Sequence, residues 1–343
     1  MRKSATSPES QLAFLGKIEH LLSSGGFTST YKFALLLSLT NIAVEQGDDS
    51  DSALEVSMDD VARQYIGLYW NMARPYPLIN ALLKQNRESA KPARVISLLS
   101  DKAKHSSFNF QRLRVYHNDA DRLVIQIRRL LAKDVLYRLQ TIGTSRESRA
   151  DRFLYDHPPT AAECARLKSI TLKPGVAACF RRLRGVIMAM VQARWALWVR
   201  ENNEQLSTDR QLESFLFGAQ RTPVSLYAER LYHLQSGRCF YTDDPLSKNT
   251  KLEVDHFIPW ARYACDSPFN LVLTSRAWNN EMRDQLKPQD KLHKLLIRND
   301  REFQSLTQPE PHGFGAAPED KQSVRMIAKW VYAAQSLAKS AAR

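Results

Sequence analysis

Residues 239–288 read CFYTDDPLSKNTKLEVDHFIPWARYACDSPFNLVLTSRAWNNEMRDQLKP, and the rest of the chain is best read outward from them. Cys239 to Tyr241 predicts a short strand, Asp243-Asp244-Pro245 a turn, and Lys251 to Val254 a second strand. A loop carrying Pro259 and Pro268 follows, then a helix over 274–285. The second strand ends in Asp255-His256, which sets a carboxylate and an imidazole side by side at the mouth of the loop. Asn270 stands fourteen residues after this histidine and Asn279 twenty-three after it. Asp and Asn side chains offer hard oxygen donors, the kind Mg²⁺ takes together with water. An imidazole with an unperturbed pKa of about 6.5 keeps a large neutral fraction near physiological pH and so accepts a proton there.

The combined pattern is more specific than any dipeptide in it. Gly237-Arg238-Cys239-Phe240-Tyr241, Val254-Asp255-His256-Phe257-Ile258-Pro259-Trp260, Asn270-Leu271-Val272-Leu273 and Asn279 with Asp284 and Pro288 together resemble the HNH nuclease family over residues 225–295. The resemblance implies a ββα-metal domain that hydrolyses phosphodiester bonds with a divalent cation, Mg²⁺ or Mn²⁺. That chemistry needs an activated water, neutralised phosphoryl oxygens and a stabilised leaving oxygen. The resemblance makes His256 the general base and Asp255 and Asn279 the metal ligands. It gives Asn270 the task of bracing the loop and orienting His256.

Two departures from the family qualify this reading. Many relatives hold a structural zinc with two Cys-x-x-Cys pairs, and the matching positions here are Cys239, Thr242, Ser275 and Trp278. One thiol does not make a closed zinc site, so no structural zinc is expected and Trp278 is expected to fill that volume. Met282 stands where many relatives carry Lys, which leaves Arg276, Arg283 or Lys287 to contact phosphate. His233 and His293 read as packing or exposed residues. The chain has no phosphate loop of the Gly-x-x-x-x-Gly-Lys kind, no Gly-x-Ser-x-Gly elbow and no HExxH pair.

Charge points in the same direction. The 343 residues carry a formal net charge of +13, with 43% hydrophobic and 25% charged side chains, a globular composition. Residues 1–60 hold nine acidic and four basic side chains, so the cationic surplus lies beyond them. Such a surplus favours a polyanionic partner. DNA ranks above RNA, because no aromatic RNA-binding signature is present. The longest apolar run, Gly185 to Val199, is broken by Gln192 and Arg194 and reads as a buried helix rather than a membrane span. Four cysteines without paired spacing (Cys164, Cys179, Cys239, Cys265) and no signal-peptide core make a cytoplasmic protein the expectation.

The fold class that emerges is mainly α: a helical N-terminal region (1–220), the ββα-metal domain (225–300) and a C-terminal packing helix (320–343). Leu12 to Leu22 and Tyr31 to Glu45 are apolar-periodic, the second entered through Thr28-Ser29-Thr30 as N-cap chemistry. Ser57-Met58-Asp59-Asp60 opens a third helix whose Tyr65, Tyr69 and Trp70 are expected in the core. Asp121 to Gln140 sets Leu123, Ile127, Leu130, Leu131 and Val135 on one face, and Arg122, Arg129 and Lys133 on another. That second face is a candidate track along a phosphate backbone. Ala178 to Arg200 is the best core helix, and Arg181 and Arg182 at its start are further candidate phosphate contacts.

These readings leave two function classes. One is a metal-dependent DNA endonuclease, nicking one strand per site, so that cutting both strands takes a dimer or two encounters; phage defence or restriction suits a helical region fused to such a domain. The other is a nucleic-acid-binding or scaffold protein with a silent HNH fold, or one gated by a protein partner. Its acidic residues 1–60 would meet that partner or shield the chain's own cations.

Overall fold

The structure, a computed structural model, describes residues 7–87, 93–103, 117–142, 149–157, 160–164, 166–218, 224–247, 252–282, 284–308 and 315–341. These are mainly helical, with thirteen α-helices and three two-stranded antiparallel sheets among the described residues. The chain divides into two compact units, Met1–Phe110 with Asn118–Gly218, and Gln111–His117 with Ala219–Arg343.

The first unit runs α1 (Pro8–Ser24), α2 (Tyr31–Gln46), β1 (Leu54–Ser57), α3 (Met58–Tyr69), α4 (Arg94–Ala103), α5 (His117–Asp134), β2 (Thr141–Ile142), β3 (Arg149–Ala150), α6 (Ala161–Cys164), β4 (Ser169–Leu172), α7 (Val176–Asn202) and α8 (Leu212–Phe217). Helix α2 is apolar all round and is accordingly the central helix, buried from Phe33 to Leu39 on every face. Its buried Ser38 and Thr40 hydroxyls donate back to the Ala34 and Leu36 carbonyls, 2.8 Å each, so no polar atom is stranded there. Helix α7 packs along α2 through its buried Ile187, Val191, Trp195 and Trp198. Strand β1 pairs with β4 from Leu54↔Leu172 to Ser57↔Ser169.

Helix starts show where local chemistry was sufficient and where it was not. Ser57 caps α3, its hydroxyl accepting the Asp59 N–H at 3.2 Å. Thr30 precedes α2 but sits in helical φ/ψ and makes no side-chain cap. Its hydroxyl instead meets the Tyr69 hydroxyl at 2.7 Å in the core, a tertiary partner that outweighs the local one. Tyr65 and Tyr69 are wholly buried, and Tyr69 packs 5.2 Å from Trp195, so the aromatic cluster is core. The basic helix ends at Asp134, six residues before the expected Gln140.

The acidic residues 1–60 are not a detachable shield. They contain α1 and α2, which carry much of the core of this unit. Several of their carboxylates already face cations of the same unit: Asp49 lies 3.3 Å from Arg181 Nε and Asp59 3.0 Å from Arg128 Nη1.

The second unit contains α9 (Ala228–Leu234), β5 (Glu253–His256), β6 (Leu271–Thr274), α10 (Arg276–Met282), α11 (Gln289–Arg301), α12 (Phe303–Thr307) and α13 (Asp320–Ala341). The hairpin differs from its expected form. Cys239 to Tyr241 is not a strand: Arg238 makes an isolated bridge to Pro245, and the turn closes through Asp243 at φ 65°. Proline removes a ladder donor and ends pairing there. The paired strands are β5 and β6, in register Glu253↔Thr274 to His256↔Leu271. The Phe240 N–H donates to the Leu273 carbonyl at 2.9 Å. Gly237 turns the chain out of α9 at φ 68°, where a Cβ would lie 2.8 Å from the Tyr232 hydroxyl, so only glycine fits. Every residue of β6 is buried, and α11 holds its start: Arg298 donates to the Leu271 and Phe269 carbonyls and Asn299 to Phe269.

Candidate active site

Asp255 and His256 are neighbours on β5, so their side chains leave the strand on opposite faces. Asp255 is buried; its Oδ2 accepts from the Tyr241 hydroxyl at 2.7 Å and forms an ion pair with Lys287 Nζ at 3.2 Å. The Lys287 side chain is wholly buried, its ammonium 5.6 Å from the Tyr241 ring centroid. Burial pushes the Tyr241 hydroxyl well above its usual range, and the Asp255 charge and hydrogen bond add to that, so Tyr241 stays a donor. Asp255 Oδ1 has no hydrogen bond among the described residues.

His256 is held from two directions. Its Nε2 lies 2.7 Å from Oδ1 of the buried Asp266, and the Trp260 ring stands edge-on with centroids 5.1 Å apart. The side chain keeps 16% of its surface exposed, and Nδ1 has no hydrogen-bond partner among the described residues.

Asn270, fully buried at the foot of β6, ties the intervening loop together. Its Oδ1 accepts the Ile258 N–H at 2.8 Å, and its Nδ2 donates to the Ile258 and Cys265 carbonyls at 3.2 and 3.0 Å. Its own carbonyl accepts the Phe257 N–H at 2.8 Å. Both ends of the loop that begins after His256 are therefore fixed to one residue. Asn279 lies on α10, half-buried, with no side-chain hydrogen bond among the described residues.

The other sequence candidates fall into three groups. Arg276 is exposed on α10, Arg122, Arg129 and Lys133 are exposed on α5, and Arg182 is exposed on α7. Lys287 and Arg181 are buried instead: Lys287 is paired with Asp255, and Arg181 donates to the Ala43 and Val44 carbonyls at 3.2 and 2.8 Å. A cation at the C-terminal end of α2 meets the Val44 carbonyl, shares the Ala43 carbonyl with the Gly47 N–H and faces the helix dipole, which explains why Arg181 lies inside. Arg283 lies outside the described residues. Sequence reading missed Tyr241 and Asp266. Asp266 precedes Ser267-Pro268 and reads as an ordinary turn residue, and no periodicity marks either one.

Among the described residues, no group of three or more His, Cys, Asp or Glu is placed to hold a metal. The oxygen donors that the motif offers are one carboxylate oxygen on β5 and one amide on α10, both without hydrogen-bond partners among the described residues. They fit a hard cation that keeps most of its own water, and not a soft one. Trp278, expected to fill the volume beside Cys239, stacks on Tyr241 at 5.1 Å and 21°. Burial raises the Cys239 thiol, but hydrogen bonds from the Thr242 and Thr274 side chains and from the Thr242 and Ser275 backbone outweigh it and bring it to about 7.

Residues 239–287 match the family described as HNH endonuclease. Residues 11–216, more than half of the chain, match a family described as a domain of unknown function, DUF8808. The chain belongs to the DUF8808 family and carries an HNH endonuclease domain. A curated protein described as CRISPR-associated endonuclease Cas9, from Listeria innocua serovar 6a, is 32% identical over 99 residues. That match covers 25% of this chain and 7% of the Cas9 protein, so the chain spans a small part of that relative's length. No solved structure matches the chain. Within the HNH domain, Asp255, His256, Asn270 and Asn279 all lie on the β5–β6 hairpin and the helix that follows it. Among the described residues, no helix is long and apolar enough to cross a membrane.

Proposed function

We propose that this DUF8808 protein is a metal-dependent endonuclease that hydrolyses DNA phosphodiester bonds, one strand per encounter. The observation that carries the reading is selective incompleteness. Asp255 Oδ1, His256 Nδ1 and the Asn279 side chain lack partners among the described residues, while their neighbours Asn270, Tyr241 and Asp266 are engaged. A neutral His256 takes a proton from water at Nδ1, and the ring is kept in place by Asp266 and Trp260. Asp255 and Asn279 would hold the divalent cation, Mg²⁺ or Mn²⁺. When bound, that cation supplies Lewis acidity at the phosphoryl and leaving oxygens. The exposed Arg276, Arg122, Arg129, Lys133 and Arg182 attract the phosphate backbone. Phage defence or restriction is the proposed setting, supported by the partial likeness to a CRISPR-associated endonuclease.

A second reading, a nuclease held silent until a partner or substrate arrives, is favoured by one feature. Lys287 already places a cation on Asp255, 3.2 Å from Oδ2. Supercoiled plasmid, incubated with wild type or His256→Ala in EDTA, Mg²⁺, Mn²⁺ or Zn²⁺, separates the two. The nuclease reading expects nicking with Mg²⁺ or Mn²⁺ that falls about 10³-fold in a folded His256→Ala. Equal cutting by the folded variant removes His256 from the chemistry. No cutting by either protein moves the assignment to the silent form.

A further inference from the structure

The HNH site holds a second buried carboxylate that the four-residue motif does not include. Asp266 is 4% exposed, ten residues after His256 in the loop that Asn270 braces, and its Oδ1 lies 2.7 Å from His256 Nε2. An ionised carboxylate only accepts hydrogen bonds, so the shared proton belongs to Nε2. A neutral imidazole with its proton on Nε2 has its lone pair on Nδ1, the nitrogen without a partner among the described residues. Trp260 stands edge-on to the same ring and limits its rotation.

We propose that Asp266 is a positioning residue that selects the Nε2–H tautomer of His256 and so aims the basic Nδ1 at the reacting water. The inference rests on the nuclease reading above and adds to it the group that makes His256 competent. Its logic is that of a histidine whose orientation and tautomer are set by a buried carboxylate. When Nδ1 gains a proton, Asp266 faces the resulting imidazolium through Nε2, and Asp266 itself touches neither water nor phosphate. Asn270 acts one step further out: by holding Cys265 and Ile258 it sets the loop that carries Asp266 to the ring.

The test combines a spectrum and a kinetic split on the full chain. Protein labelled with ¹⁵N-histidine, with the His256 ring signals assigned by their loss in His256→Ala, is read at a pH where the ring is neutral. Wild type is expected to show Nε2–H and an unprotonated Nδ1. Asp266→Asn is expected to shift that signature and to lower kcat for plasmid nicking by about 100-fold or more, with KM changed little. Asp266→Glu is expected to recover part of the rate. A wild-type spectrum showing Nδ1–H overturns the inference without requiring any variant to fold. So does a folded Asp266→Asn that nicks at the wild-type rate while His256→Ala does not nick. Absence of nicking by wild type with every metal is a different failure: it overturns the nuclease reading, and the catalytic meaning of Asp266 with it.

Discussion

In the first unit the guanidinium of Arg181 is buried against the Ala43 and Val44 carbonyls and paired with Asp49. In the second, His256 has Nε2 against a buried carboxylate and Nδ1 without a partner among the described residues. The contrast extends to their neighbours. Buried polar side chains of the first unit complete backbone or core: Ser38 and Thr40 bond back within α2, and Gln85 accepts from Trp195 Nε1 at 2.9 Å. In the second unit four polar side chains belong to one hairpin: Asn270 and Asp266 are engaged, while Asp255 and His256 each keep one atom without a partner among the described residues. Both open atoms belong to adjacent residues of one strand and neither is sealed from solvent, so water and a cation can reach them.

The largest effect should come from Asn270→Ala, which strands the buried Ile258 N–H and carbonyl and removes a donor from the Cys265 carbonyl. A loss of about 3 kcal/mol in denaturant-derived stability is expected, with nicking lost as well. Unchanged stability together with lost nicking would move Asn270 from the braces to the reacting groups and blur the contrast.

Next come two sets of cations that sequence placed together and structure separates. Arg181→Met leaves the Val44 carbonyl and Asp49 without their cation and should cost about 3 kcal/mol, with DNA affinity unchanged. Replacing the exposed Arg122, Arg129 and Lys133 together with Gln should do the reverse. Stability should stay within about 0.5 kcal/mol per site, while the slope of log affinity against log salt falls by about 2 to 3. If the slope is unchanged, α5 is not part of the DNA surface. If Arg181→Met changes it, a residue assigned to the core also governs the charged face.

What sequence could and could not show follows the same division. Local signals were legible: the apolar circumference of α2, the Ser57 cap and the buried stripe of α7 each depend on residues a few positions apart. The Asp255-His256, Asn270 and Asn279 pattern was legible because its spacing is tied to a hairpin and the helix after it. The first expected strand was not, since Pro245 and the turn at Asp243 reduce pairing there to one bridge, and Leu271–Thr274 takes the place beside β5. Contacts across the fold left no periodic trace. Thr30 abandons its cap for Tyr69, Lys287 turns inward to Asp255, and Asp266 reaches His256 from what looked like a proline turn.

The smallest expected effect concerns thiols and runs through the same contrast. Burial pushes Cys164 and Cys179 of the first unit above the usual 9.0, whereas the hydrogen bonds around Cys239 of the second bring it to about 7. A thiol with a lowered folded pKa contributes stability that is fully present above its unfolded value and lost as pH falls through its folded one. Between pH 7 and 9 the folded chain thus holds a thiolate where the unfolded chain holds a thiol. Unfolding takes up a proton, and stability should rise with pH by up to about 2 kcal/mol. Cys164 and Cys179 stay protonated in the folded chain across that window and cannot produce the rise. Unfolding free energy measured at several pH values for wild type and Cys239→Ser isolates it, because serine does not titrate there. A slope that survives in Cys239→Ser assigns the rise to another group. A wild-type profile no steeper than that of Cys239→Ser means that desolvation offsets the Thr242, Thr274 and Ser275 hydrogen bonds, leaving Cys239 without a shift that stability can feel.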